Sequence, residues 1–179
     1  GYNIHALREL ARRRLPRMIF DMVDGAAGDE NTVRRNQAAI AEITFVPKVL
    51  SGAGTRDQSI EIFGHKLPSP VIIGPTGLAG LLYPHAELEA ARAAARFGTI
   101  YTTSHASTST IEEIAGETRG PKWMQVFLYK DRGLTAEFIQ RAKAAGYAGL
   151  VLTVDNQMMA VRDRDARNGC ESGTSKAKS

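Results

Sequence analysis

The sequence predicts an α/β protein in which a helical opening leads into a parallel sheet built from βα units. Strand-sized apolar runs begin roughly every 25 residues from Pro70 onward, the length of one βα unit with its connections. Stretches with apolar residues at helical spacing separate these runs. The chain has 179 residues, 43% of them hydrophobic, which is about one domain by length and enough to bury a sizeable core.

The opening reads as three helices. Ile4, Leu7, Leu10 and Ala11 recur at helical spacing behind Asn3, a residue type suited to an N-cap. Pro16 opens a second helix through Ile19, Met22 and Val23, and Gly25 breaks it. A third starts after Asp29, carries Val33, Ala38 and Ile40, and ends before the extended segment from Thr44 to Pro47. Residues 48–70 read as a loop with a small hairpin: Ser59 to Phe63 alternates, and Gly64, His65 and Lys66 supply a turn before Leu67.

The main series then begins. Val71 to Gly74, Thr99 to Thr103, Lys122 to Phe127 and Leu150 to Val154 read as strands. Ala86 to Phe97, Ser109 to Ala115 and Leu134 to Ala145 read as the intervening helices, the last stopped by Gly146. This divides the chain into residues 1–69 (helices and lead-in hairpin), 70–168 (four βα units) and 169–179 (a polar, patternless tail). Two architectures accept the series, an open doubly wound sheet and a (β/α)₈ barrel of which four strands form only the first half.

Composition narrows the function classes. The single cysteine, Cys170, cannot form an internal disulfide, and no charged-then-apolar leader opens the sequence, so a reducing cytoplasm is the expected setting. No apolar run reaches transmembrane length. The net charge of +4 is small and partly gathered in Arg12, Arg13, Arg14 and Arg17, which reads as a solvated helix face rather than a nucleic-acid surface. His5, His65, His85 and His105 are scattered without metal-ligand spacing, so no metal is expected. Neither a phosphate-binding glycine motif nor a nucleophile elbow is present, since Gly74, Gly77 and Gly80 have the wrong spacing.

In either architecture a ligand lies at the carboxyl ends of the strands. Those ends read Gly74-Pro75-Thr76-Gly77, Thr103-Ser104-His105, Gln125-Val126-Phe127 and Thr153-Val154-Asp155. The uncharged hydrogen-bonding groups among them suit a planar, heteroatom-rich ligand read by amides and hydroxyls. Gln125 both donates and accepts, matching the edge of a pyrimidine-type ring, and Gly77 allows close backbone approach, although a simple strand-end turn explains a glycine there as well.

The ordered set Leu15-Pro16-Arg17-Met18, Gly74-Pro75-Thr76-Gly77, Gln125-Val126-Phe127, Leu152-Thr153-Val154-Asp155 and Arg162-Asp163-Arg164-Asp165 resembles the FMN-dependent α-hydroxy-acid oxidases and dehydrogenases, the family of glycolate oxidase, lactate oxidase and (S)-mandelate dehydrogenase. The resemblance runs from about Tyr2 to Asn168. It implies the first half of a (β/α)₈ TIM barrel preceded by N-terminal helices, an FMN cofactor and a small 2-hydroxy-acid substrate oxidised to a 2-oxo acid. It further implies that Pro75, Thr76 and Gly77 face the flavin N5 side and that Ser104, Gln125 and Thr153 hydrogen-bond the ring. Asp155 is then a carboxylate near the reacting centre, and Arg162 a partner for the substrate carboxylate, a role that its planar fork suits. An ion pair within Arg162-Asp163-Arg164-Asp165 is the competing reading of that arginine.

The sequence departs from the family pattern in three ways. Met22 and Phe127 stand where the family has substrate-facing tyrosines, and neither can donate a hydrogen bond. Ala26-Ala27-Gly28-Asp29 replaces the usual Gly-Ala-Glu-Asp. The family's catalytic histidine and phosphate site belong to later strands, so the chain corresponds to the N-terminal half and is expected to need its C-terminal half, or self-association into a homo-oligomer, to cover open strand edges. The alternatives are a catalytically silent half-barrel that binds flavin or acts as a scaffold, a member with altered chemistry, and another flavin or phosphate barrel, RNA-modifying ones included.

Overall fold

The computed structural model describes residues 2–52, 54–155 and 160–169. Cys170 and the polar tail read in the sequence lie outside the described residues. The chain divides into two compact units, Gly1–Ser51 with Met158–Ser179, and Gly52–Gln157.

In the first unit, α1 (Ile4–Arg14) starts at Asn3, whose side chain accepts from the Ala6 N–H at 2.8 Å, so the N-cap read in the sequence forms. Pro16 caps α2 (Arg17–Asp24), which ends at Gly25, and α3 (Asn31–Ala41) follows Glu30. A short helix, α7 (Asp163–Arg167), belongs to this unit, whereas the sequence division places its residues in the βα series. The reason is electrostatic. Arg164 donates to Asp24 at 2.9 Å and to Glu30 at 2.6 Å, and Asn168 donates to Asp21 at 2.8 Å. Such long-range ion pairs leave no trace in hydrophobic periodicity.

In the second unit, β1 (Ile60–Ile62) and β2 (His65–Leu67) form an antiparallel hairpin. Its turn is Phe63-Gly64, one step earlier than the turn read at Gly64 to Lys66, because both residues adopt positive φ (47° and 79°), the geometry of a two-residue hairpin turn that matches strand twist. His65 and Lys66 are therefore strand residues.

Then come α4 (Ala86–Phe97), β3 (Tyr101–Thr103), α5 (Ile111–Glu117), β4 (Lys122–Val126), α6 (Arg132–Ala144) and β5 (Gly149–Leu152). The sheet order is β3-β4-β5, all parallel. With the bridge from Ile73, four successive segments lie side by side in chain order, as barrel strands do, whereas a doubly wound sheet reverses its order after two or three strands. The run Val71 to Gly74 joins through one parallel bridge, Ile73 to Tyr101, and is not a full strand. Pro70 and Pro75 flank it and have no N–H for a ladder, so only Ile73 exchanges bonds, donating to Ile100 O and accepting from Thr102 N, both at 3.0 Å.

Alternation along the strands sorts side chains between two faces. Tyr101 packs with Ala91, Ala94 and Ile114 on the helix side, as Met124 and Val126 do with Ile111 and Ala142. The opposite face carries Ile100, Trp123 and Val151, covered by Ile60, Ile62 and Leu67 of the hairpin. The hairpin is thus part of the sheet unit, whereas the sequence division at residue 69 places it with the N-terminal helices. Two residues further along each strand this same face turns polar: Ile100 gives way to Thr102 and Ser104, Trp123 to Gln125, and Val151 to Thr153. The hairpin seals the starts of the strands with apolar contacts, which leaves the hydrogen-bonding residues at their carboxyl ends.

Candidate functional site

Gln125 is the hub of these carboxyl ends. It is 3% exposed, and its Oε1 accepts from the His105 backbone N–H at 3.0 Å and stands 2.9 Å from His105 Nδ1. Ser104 Oγ donates to the same oxygen at 3.5 Å, and Gln125 Nε2 donates to Thr153 Oγ1 at 2.8 Å. Ser104, Gln125 and Thr153, placed on three different strand ends by the sequence reading, therefore form one hydrogen-bonded chain. An amide buried this deeply is costly unless satisfied, so its orientation is fixed by its partners. The backbone N–H of His105 can only donate, which identifies the atom facing it as the oxygen.

The loop after Ile73 meets this chain from the side. Leu78 N donates to Ala106 O at 2.8 Å, and a Cβ on Gly77 would stand 3.2 Å from Ala106 Cβ and 3.5 Å from Ser104 Oγ. Loop-to-loop contact therefore explains the glycine on one side. Pro75, Thr76 and Gly77 are themselves exposed at the strand end.

A buried carboxylate holds the two loops together. Glu87 on α4 is 1% exposed and accepts from Thr108 N at 2.9 Å and from Thr108 Oγ1 at 2.8 Å. Burial pushes its pKa up, but the bonds from Thr108, with a further one from the Gly80 backbone, outweigh this and hold it below the ordinary carboxylate value. A Cβ on Gly80 would lie 2.1 Å from Thr108 Oγ1, so the approach permits only glycine.

Phe127 is half-buried, with its ring edge-on to His105 at 4.4 Å between centroids. Asp155, just past Thr153, is exposed. Met22 and Arg162 belong to the first unit. There Arg162 Nη2 donates to the carbonyls of Met22 at 2.6 Å and Gly25 at 2.9 Å, and Nε stands 3.2 Å from Asp165 Oδ2 in a geometry too bent for a hydrogen bond. Carbonyls at a helix C-terminus lack intrahelical donors, and a guanidinium satisfies them well. Arg162 thus clips α2, and the local ion pair weighed in the sequence is also present.

Sequence reasoning passed over His105 and Glu87. His105 stands in the strand-end set read from the sequence but receives no role there, although its place directly after Ser104 is the signal that it belongs to the site. Glu87 carried no local signal, because its partner Thr108 is 21 residues away.

The model of the FMN-dependent dehydrogenase family matches residues 11–178. The chain belongs to this family. A peroxisomal (S)-2-hydroxyacid oxidase of Arabidopsis thaliana is 37% identical over 166 residues, 93% of this chain and 46% of that protein. An L-lactate dehydrogenase of Alcaligenes faecalis is 41% identical over 162 residues, 90% of this chain and 43% of that protein. Among solved structures, a soluble mutant of the membrane-associated (S)-mandelate dehydrogenase of Pseudomonas putida superposes with a TM-score of 0.89 at 36% identity, over 94% of this chain and 48% of that one. The chain thus spans less than half the length of the relatives it matches, and its fold is that of one part of an FMN-dependent (β/α)₈ barrel.

The strand ends suit a flavin ring. One N–H of Gln125 Nε2 is used on Thr153, which leaves the second. Thr153 Oγ1 accepts that bond, which leaves its own hydroxyl hydrogen to donate. This edge offers hydrogens, and the pyrimidine side of an isoalloxazine offers carbonyl oxygens and ring nitrogens to receive them.

Proposed function

We propose that this chain supplies the flavin-ring-binding part of an FMN-dependent enzyme that oxidises a small 2-hydroxy acid to a 2-oxo acid. The observation that carries the reading is the chain Ser104–Gln125–Thr153, a buried and oriented donor edge on consecutive strand ends. FMN bound there would accept the two electrons removed from the substrate's α-carbon. Gln125 and Thr153 would hold the pyrimidine edge, and their donated hydrogens favour extra negative charge on the ring. Pro75, Thr76 and Gly77 would present backbone to the flavin's N5 side. Asp155 would stand beside the reacting centre, with Phe127 forming an apolar wall where a hydroxyl would otherwise face the substrate. Arg162 in this reading exchanges its bonds to Met22 and Gly25 for the substrate carboxylate.

The test is to mix the intact protein with FMN and a panel of 2-hydroxy acids and measure quenching of flavin fluorescence together with 2-oxo acid formation. Quenching with product supports the reading, and a protein that leaves FMN fluorescence unchanged contradicts it. A second reading, flavin binding without turnover, is favoured by the missing hydroxyl at Phe127 and by the engaged guanidinium of Arg162. Quenching without product selects it. The cytoplasmic setting and the homo-oligomer remain parts of this proposal. Among the described residues no helix is long and apolar enough to cross a membrane.

A further inference from the structure

We propose that His105 is a positioning residue for the flavin edge, acting through Gln125 by fixing which end of that amide faces the ligand. The inference rests on the FMN reading above. A glutamine amide is close to symmetric in shape, so a site that needs donors must prevent it from turning over. Here the oxygen is held from two directions by one residue, the backbone N–H of His105 at 3.0 Å and its ring Nδ1 at 2.9 Å. The oxygen can only accept, so Nδ1 carries a proton and donates it to Gln125.

The ring is itself held in place. Phe127 lies edge-on at 4.4 Å and Tyr129 at 6.3 Å between centroids, so the imidazole is wedged between aromatic side chains on the β4 side. With the Gln125 oxygen consumed, the polar hydrogens left at this edge are the second N–H of Gln125 and the hydroxyl of Thr153. Turned over, Gln125 would set its NH₂ against two donors and offer an oxygen to the carbonyls of a pyrimidine ring. His105 excludes that arrangement.

The experiment is a thermodynamic cycle on FMN affinity, measured by fluorescence quenching in the intact protein. His105→Leu is expected to weaken FMN binding about three- to tenfold, the worth of one net hydrogen bond. His105→Asn is expected to restore it, because its side-chain amide nitrogen takes the place of Nδ1. In a Gln125→Leu background, His105→Leu is expected to change affinity less than twofold. Unchanged FMN affinity in His105→Leu, failure of His105→Asn to rescue, or an equal loss in the Gln125→Leu background each overturn the inference. A wild-type protein that binds no FMN instead overturns the reading on which it rests. A thermal scan of each variant separates loss of folding from loss of positioning, since only the latter depends on the presence of Gln125.

Discussion

Two clusters in this protein solve the same problem, pairing polar groups that folding shields in part or in full from water, by different means. At the strand ends the groups are neutral: Ser104, His105, Gln125 and Thr153 share directed hydrogen bonds around an amide that is 3% exposed. In the first unit the groups are ions: Arg8 and Arg164 meet Asp21, Asp24 and Glu30, with Arg8 half exposed. Bonds from Arg8 and then Arg164 pull Asp24 below the ordinary carboxylate value, and Arg164 does the same to Glu30. The neutral cluster leaves donors over for a ligand, in a fixed direction. The ionic cluster consumes its own charges and serves to attach α7 to α2, and screening by salt weakens its exposed part.

The largest effect is expected where the site tolerates no added atom. Gly80→Ala drives a methyl into Thr108 and so against the Glu87 anchor, and should cost about 3 kcal/mol, the upper part of the range for forced overpacking. Chemical denaturation read by tryptophan fluorescence checks it, since Trp123 lies in the same unit. A loss of only a few tenths would mean that the two loops are not clamped.

Next is Gln125→Leu, which strands the His105 N–H and Nδ1–H together and should cost about 2 kcal/mol of stability by leaving two partly buried donors unpaired. Gln125→Glu keeps the acceptor and serves as the control. Elsewhere in the first unit, Arg162→Ala removes a cation from the Met22 and Gly25 carbonyls and should cost about 1 kcal/mol, because the group is only partly shielded from water. If Arg162→Ala abolishes substrate oxidation while leaving stability unchanged, the helix clip is incidental to its role. If it costs stability alone, the clip is the role.

The smallest effect separates the clusters by pH. The Glu87 carboxyl lies below its ordinary value of 4.5 in the folded protein, so its stabilising contribution is complete above that pH and drains away as the pH falls through the lowered value. Glu87→Gln should flatten the acid limb of stability below the ordinary carboxylate value. An unchanged limb would leave acid sensitivity to the Arg8 and Arg164 pairs, and added salt would then shift it.

Much of this was legible in the sequence because it follows from local chemistry. Asn3 as a cap, α4 from Ala86 to Phe97 and the strand-end set Ser104, Gln125 and Thr153 each declare themselves through residue type and spacing. The strand at Val71 to Gly74 did not form because flanking prolines removed donors that a count of apolar residues overlooks. Glu87 and the clip by Arg162 were invisible because their partners lie 21 and 137 to 140 residues away. The turn at Phe63 escaped because a phenylalanine at positive φ runs against its usual preference.

The most direct test is a crystal structure of the intact protein loaded with FMN. The pyrimidine edge of the flavin is expected within hydrogen-bond distance of Gln125 Nε2 and Thr153 Oγ1, with Gln125 Oε1 still facing His105. A flavin bound elsewhere, or a Gln125 amide whose oxygen faces the ring, would contradict it.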